Sequence, residues 1–505
     1  MEYLIGTDVG TSSTKTLLCT TKGKIVAEAS HAYPLYSPRP GWNEQDPADW
    51  WSGVVKTIRS VLRKAKVKKG QVAAIGLSGQ MHGSVFLDAK NRPIRRALLW
   101  NDQRTEKQCA DITRRAGGQK KLIGFVNNVA LPGFTAPKIL WLRDNEPNNY
   151  KKVRQILLPK DYVRFLLTGE FATEVSDAAG TLLLDVKRRK WSKGLLNRLE
   201  IDPALLPRVY ESPEVTGTLT PEAASALGLT PGTPVVGGGG DQAAAAVGMG
   251  IVKQGLVSAT IGTSGVVFAH AESVVPNPEG LLQSFCHAVP GKWCVFGCML
   301  SAGGSLDWAR DVLYKGERRK DLYGLIESEA KGSVAGSRGL IFLPYLEGER
   351  CPHPDPNARG CWIGLTRLHT RGDMARAVME GITLGMADQI KMMRDLGVTI
   401  NQVRCGGGGA RSSFWLQLQA DVYDARTVTV DTVDASAYGV AILAGVGAGV
   451  WKTVEQASKE CVNIESTNRP TKRAVNTYKN VHATYRELYP TLQHSFRKLA
   501  DAAAE

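Results

Sequence analysis

Gly6-Thr7-Asp8-Val9-Gly10-Thr11-Ser12-Ser13-Thr14-Lys15 stands between two short apolar runs, Tyr3–Ile5 and Thr16–Cys19. The second half of the chain repeats the plan. Leu256–Ile261 leads into Gly262-Thr263-Ser264-Gly265 and out again through Val266–Ala269. Both stretches read as a strand, a Gly/Thr/Ser turn and a returning strand. In the first copy Lys22-Gly23-Lys24 turns the chain once more, into Ile25–Ala29, which makes a three-stranded meander. The two copies lie too far apart for a repeat of short fixed period. They predict two domains of one plan, with a boundary between Met249 and Gln254.

Outward from the first copy the pattern alternates. Asp46-Pro47-Ala48-Asp49 is a helix start, with a cap, a proline in the first turn and an early acid. Trp51, Val54, Val55, Ile58, Val61, Leu62 and Ala65 follow at helical spacing, and the helix closes at basic residues and Gly70. Val72–Leu77 is a buried strand that opens into Ser78-Gly79-Gln80-Met81-His82-Gly83, and Ser84–Leu87 leads out. Strand, helix and strand in turn are α/β grammar. In the second half, Asp373–Leu396, Ser413–Tyr423 and Ser436–Gly445 read as helices, and Thr477–Leu499 as a surface helix. The expected division is 1–250, 251–445 and a helical tail, 446–505, packed on the second domain.

The 505 residues exceed what one core holds. Lys and Arg number 63 against 48 Asp and Glu, a net charge of +15 that suits anionic ligands and raises the question of nucleic acid. The basic runs, Lys64–Lys69, Arg114–Lys121 and Lys187–Lys193, carry no interleaved aromatics to stack on bases, so no nucleic-acid partner is expected. The nine cysteines form no C-x-x-C pair and read as buried thiols in a reducing compartment. No basic region followed by an apolar core opens the chain, and Gly439–Trp451 is too short to span a bilayer. A cytoplasmic protein without a membrane partner is expected.

Four Gly-rich polar turns are candidates for ligand binding: Gly6–Thr14, Gly237–Asp241, Gly262–Gly265 and Cys405–Ala410. Glycine lets main-chain N–H groups converge on phosphate. None of the four is a P-loop or a Rossmann G-x-G-x-x-G. Asp241 precedes an Ala-rich helix: it is either an N-cap or a carboxylate beside a cleft. There the helix end would lower its pKa. His82 is either a hydrogen-bonded structural histidine or a ligand contact. Asp8 is either a turn residue or a carboxylate for Mg²⁺.

Two longer stretches carry a family resemblance. One is Gly133-Phe134-Thr135-Ala136-Pro137-Lys138-Ile139-Leu140-Trp141-Leu142-Arg143-Asp144-Asn145. The other runs from Gly360-Cys361-Trp362-Ile363-Gly364-Leu365 through Asp373-Met374 to Ala377-Val378-Met379-Glu380. By these the chain resembles the FGGY carbohydrate kinases, within the actin-like ATPase fold group, from Ile5 to about Gly445. Gln80-Met81-His82-Gly83 and Trp100-Asn101-Asp102-Gln103-Arg104 are similar to the sugar-binding loops of family members that act on xylulose. Members acting on glycerol carry Arg-Glu where Met81-His82 stand.

The resemblance implies two actin-like (ribonuclease H-like) α/β domains with a deep cleft between them. It implies transfer of the γ-phosphoryl group of ATP, with Mg²⁺, to the 5-hydroxyl of D-xylulose; ribulose, glycerol and gluconate stay open as acceptors. Asp241 would be the general base, and Met81, His82, Trp100 and Asp102 would contact the sugar, Met81 chiefly through its main chain. Asp8 would help hold Mg²⁺. Gly10, Thr11, Ser12 and Ser13 would lie near the phosphates, Gly262 and Thr263 would hold them from the second domain, and Gly407 and Gly408 would lie against the nucleoside, with Arg411–Phe414 at the next helix start. A sugar-sensing member without activity would lack the base or the turns, and all are present. The resemblance also implies a homodimer.

Overall fold

In the computed structural model, which describes residues 2–432 and 434–502, the opening strand runs on past Ile5. β1 spans Tyr3–Val9 and β2 spans Ser13–Thr20, antiparallel from Tyr3 opposite Thr20 to Val9 opposite Thr14. Only Gly10-Thr11-Ser12 turns, so the longer turn expected over Gly6–Lys15 is corrected. Thr7 and Thr16 sit in the strands because their hydroxyls satisfy each other, 2.9 Å apart, inside the core. Gly6 is a strand residue because a Cβ there would fall 1.8 Å from the Ala437 carbonyl oxygen. The glycine admits a helix; it does not bend the chain.

β3 (Ile25–Ala32) completes the meander. Asp46 caps α1 (Pro47–Lys64) and accepts the Ala48 N–H at 3.0 Å. Trp50, Val54, Ile58 and Val61 bury its inner face. The helix stops short of Gly70, since Lys66 takes a left-handed φ of 52°. β4 (Val72–Gly79) then runs parallel to β1. A long insertion follows, with α2 (Thr135–Asn145) and α3 (Val175–Ala179), before β5 (Val215–Thr218), β6 (Pro234–Val236) and β7 (Gly239–Gly240) rejoin the sheet. The strand order is β5-β6-β4-β1-β2-β3, with β7 also on β4. α4 (Asp241–Gly248) leaves from β7.

The second sheet repeats this wiring. β8 (Gly255–Ile261) pairs antiparallel with β9 (Gly265–Ala271), and β10 (Gln283–Cys286) and β11 (Trp293–Met299) extend that edge. After α5 (Arg371–Asp395), which a Thr370–Asp373 capping box starts, β12 (Ile400–Gly407) lies parallel to β8. α6 (Ser413–Tyr423), β13 (Arg426–Val430), α7 (Ala435–Gly447), β14 (Ile464–Asn468) and α8 (Lys472–Ala502) follow. The order is β10-β11-β9-β8-β12-β13-β14. In each domain the first strand has its hairpin partner antiparallel on one side and a post-helix strand parallel on the other. This is the duplicated actin-like plan. Two of the expected glycine turns shrink as the first one did: Gly239–Gly240 and Cys405–Gly407 are strand.

Chain order and packing part company at α7. It lies on the first sheet, against β1 and β4, and crosses α4. The crossing is tight enough to demand glycine on both helices: a Cβ at Gly439 would stand 1.8 Å from the Ala244 carbonyl oxygen, and one at Gly248 would stand 2.0 Å from that of Ala435. The end of the chain is less superficial than its polarity predicts. Tyr478, Tyr485, Tyr489 and Phe496 of α8 are buried, against α6 and the strand Ile341–Leu343. Positions 503–505 of the expected tail, and Met1, lie outside the described residues. All nine cysteines are free thiols. Among the described residues, no helix is long and apolar enough to cross a membrane.

Candidate active site

Two carboxylates flank the end of β4. Asp8 on β1 is opposite Ser78, and on the other edge of β4, β7 sets Gly239 opposite Ser78 and Gly240 opposite Gly79, one residue before Asp241. Ligand sites of open α/β sheets form at the carboxyl ends of parallel strands. Burial pushes Asp8 up to about 7, and the nearby Asp241 and Asp434 add repulsion. Its Oδ1 is buried without a hydrogen-bond partner. Burial also pushes Asp241 up to about 6, against the pull of the Gln242 N–H and side chain. That corrects the expectation that the helix end would lower it: desolvation outweighs the helix-end donors. The capping position belongs to Gly240, and Asp241 is the first helical residue.

The acceptor side is built from loops. His82 has a left-handed φ of 68°, and its Nδ1 lies 2.7 Å from the Gly180 carbonyl oxygen. A carbonyl only accepts, so Nδ1 carries the proton and Nε2 keeps a free lone pair. Burial holds the ring neutral, down to about 3. Phe134 packs on it at 4.8 Å. Lys138, fully buried on α2, donates to the His82 carbonyl at 2.9 Å, joined by the Thr135 hydroxyl at 3.0 Å. The signature stretch 133–145 thus braces the loop that carries His82. The Met81 side chain is buried against Gly240, where a Cβ would meet it at 2.9 Å, so Met81 supports the segment that leads into Asp241.

Trp100 is 37% exposed, and its indole N–H donates to Thr11 Oγ1 at 2.9 Å. Asp102 lies in the interior. It is fully buried, and its two oxygens accept from Arg104 and from the Asn43 N–H at 2.7 Å. The expectation of a direct sugar contact is corrected: with its oxygens already bonded, Asp102 fixes the Trp100 loop.

The turn Gly10–Ser12 is held from behind. Its carbonyls take Tyr33 and Gln80 at Gly10 and Gln45 at Thr11, while Ser13 is already in β2. In the second domain, Gly262 and Thr263 border a cavity of about 510 Å³ that also includes Gly408, Gly409, Arg411 and Ser412. A second cavity, about 700 Å³, joins Gly262, Ser264, Gly407, Gly408 and Arg411 to Lys15 and Asp434. Gly262, Gly408 and Arg411 line both. Gly407 is needed for space: its φ is 73°, and a Cβ would come within 2.3 Å of the Ile261 carbonyl oxygen.

Sequence reasoning missed Lys15 as a site residue. It lies in the opening stretch and pairs with Asp434 at 3.1 Å, and only the return of α7 reveals that partner. It also missed Gln45, which no local pattern marks.

The site fits a nucleotide with its Mg²⁺. Two cavities edged by glycine share Gly262, Gly408 and Arg411 in their walls, and Asp8 offers a buried, unpartnered oxygen. Among the described residues no cluster of three metal-binding side chains occurs.

Residues 3–248 match the N-terminal domain, and residues 257–448 the C-terminal domain, of the FGGY family of carbohydrate kinases. A xylulose kinase of Bacillus subtilis is 38% identical over 504 residues, covering 99% of this chain and 100% of that one. A ligand-bound xylulose kinase from Lactobacillus acidophilus superposes with a TM-score of 0.91 at 28% identity, covering 99% of this chain and 100% of that one. A gluconate kinase from the same organism also gives 0.91 at 28% identity, covering 98% and 99%.

Proposed function

Because the chain belongs to the FGGY family of carbohydrate kinases, we propose that its acceptor is D-xylulose, phosphorylated at the 5-hydroxyl by MgATP. The fold alone does not choose between acceptors, since a xylulose kinase and a gluconate kinase superpose equally well. The observation that carries the choice is the Met81-His82 loop. His82 is neutral with a lone pair on Nε2, a hydrogen-bond acceptor for a sugar hydroxyl. A neutral ring offers no charge to a carboxylate acceptor such as gluconate. Identity of 38% along the whole chain to a xylulose kinase supports the same reading.

In this mechanism Asp241 accepts the proton of the 5-hydroxyl as that oxygen bonds to the γ-phosphorus. The bond from the γ-phosphorus to the bridging oxygen breaks, and ADP leaves. A carboxylate at about 6 is ionised at neutral pH yet basic enough to orient and take that proton. The transition state is loose, so positioning matters more than base strength. The Gly10 and Gly262 N–H groups close their own turns on the Ser13 and Ser264 carbonyls, so the phosphates would be met by the N–H groups that follow them, and Arg411 and Lys15, which share a cavity with Gly262, add positive charge. Asp8 would hold Mg²⁺, which neutralises charge on the phosphates. Trp100, steadied through Asp102, forms the sugar-side wall.

ADP release is measured with D-xylulose, D-ribulose, glycerol and gluconate on the wild type and on Asp241→Ala. The expected result is the highest kcat/KM for D-xylulose and loss of turnover in the variant. A higher value for gluconate overturns the acceptor, and a fully active variant overturns the base. The reading includes a cytoplasmic homodimer, which sedimentation and cell fractionation test.

A further inference from the structure

α3 is five residues long and buried throughout, yet it touches both halves of the acceptor site. Just past its end, the Gly180 carbonyl holds His82 Nδ1 at 2.7 Å. At its start, Ser176 Oγ accepts the N–H of Gly240 at 3.1 Å, one residue before Asp241. The Ser176 hydroxyl donates in turn to Glu174 Oε1 at 2.9 Å. Glu174 also takes the N–H groups of Ser176 at 2.7 Å and Asp177 at 2.9 Å, and the Ser212 hydroxyl at 2.8 Å. The Ser212 carbonyl accepts the N–H of Gly238 at 2.9 Å. The glycine turn that carries Asp241 therefore hangs from Glu174 at two points, through Ser176 and through Ser212.

Ser176 is 1% exposed and Glu174 and Ser212 are 0%, so each of these hydrogen bonds is made away from water. What the hydroxyl adds is direction. Gly240 has no side chain to set the entry of the chain into α4, so its N–H must be held from outside. Lys160, also 0% exposed, lies 3.5 Å from Glu174, 3.3 Å from Asp177 and 2.7 Å from Asp161, and supplies the counter-charge that a buried carboxylate needs.

We infer that Ser176 and Glu174 are positioning residues: they set the base at Asp241, and through Gly180 the acceptor nitrogen of His82, at one fixed separation across the sugar. The inference rests on the reading of Asp241 as the base. A slack base misaligns the attacking hydroxyl, and misplacement of about 1 Å lowers turnover by on the order of a hundredfold without loosening substrate.

Steady-state ADP release with D-xylulose, alongside thermal melting, is measured for the full chain as Ser176→Ala, Ser176→Cys, Glu174→Gln and Asp241→Asn. Ser176→Ala is expected to lose about tenfold or more in kcat, with KM for sugar and ATP within about threefold. Ser176→Cys, a weaker acceptor of the same shape, falls between it and wild type. Glu174→Gln lowers kcat and also raises the sugar KM, because it serves both arms. If that variant melts early, the serine pair decides. Wild-type kcat in Ser176→Ala beside an inactive Asp241→Asn overturns the positioning and leaves the base standing. A Ser176→Ala loss that only tracks a lowered melting temperature also overturns it. An active Asp241→Asn overturns both readings.

Discussion

Asp241 experiences two opposed influences: a helix end that favours its charge and a desolvated pocket that opposes it. Burial wins, leaving the carboxyl near 6. A base must be ionised, so kcat/KM is expected to fall about tenfold per pH unit below about 6 and to level off above it; a pH–rate profile checks this. Asp241→Asn is expected to lower kcat by roughly two to four orders of magnitude while the KM for ATP stays near wild type. Asp8 differs, because its Oδ1 has no partner and the repulsion of Asp241 and Asp434 adds to its burial, outweighing the pull of Ser78 and Lys15. Asp8→Asn should abolish turnover yet raise the melting temperature in metal-free buffer. The sign follows from its raised pKa of about 7: the ionised carboxyl costs stability above that pH, and the cost fades as pH falls towards the unfolded value of about 4. Calorimetry at both ends of that range tests it. At this scale residue identity was legible and residue state was not. His82 and Asp241 stand out in their motifs, but which nitrogen holds the proton depends on Gly180, far along the chain. Asp102 shows the cost of that blindness: its motif points to the sugar, and Arg104 and Asn43 take its oxygens.

Helix starts were the most legible elements. Asp46 before Pro47 caps α1 where the sequence marks it, because capping chemistry is local, while α5 starts at Arg371 behind a Thr370 cap, two residues before the Asp373 that the periodicity marks. Strand ends were not. The polar run Gly6–Lys15 reads as a turn, while Thr7 and Thr16 pair inside the core and Gly6 lies under α7. The α4–α7 crossing gives the prediction proper to this scale. Gly439→Ala drives a Cβ into the Ala244 carbonyl, and no rotamer relieves a clash with backbone. It is expected to cost about 2–3 kcal/mol, read as a lowered urea midpoint. Because α4 begins at Asp241, kcat should fall in the same variant before the fold is lost. Lys138 carries a similar lesson: the motif around it is recognisable, but its work, holding the His82 carbonyl, appears only once α2 is docked.

At the scale of the whole molecule, the two sheets carry one Gly/Thr/Ser turn each, one cavity joins Lys15 of the first domain to Gly262 and Ser264 of the second, and α7 crosses back to brace the first domain. Phosphoryl transfer to a sugar competes with transfer to water, so closure on the sugar should govern turnover. D-xylulose with a non-hydrolysable ATP analogue is expected to reduce the radius of gyration in small-angle scattering, and ADP release without sugar should be slower by at least an order of magnitude. The duplicated strand–turn–strand pattern, the α/β grammar and the family motifs were determined by the sequence alone, because they rest on short-range periodicity and on residue types at fixed spacing. The tertiary structure alone decided that Lys15 meets Asp434, that Asp8 and Asp241 crowd one strand end, that α7 belongs with the first sheet, and that α3 ties the Gly240–Asp241 segment to His82. Those are contacts between residues distant in the chain, and desolvation and close packing, which set their charge and their need for glycine, exist only once both partners are in place.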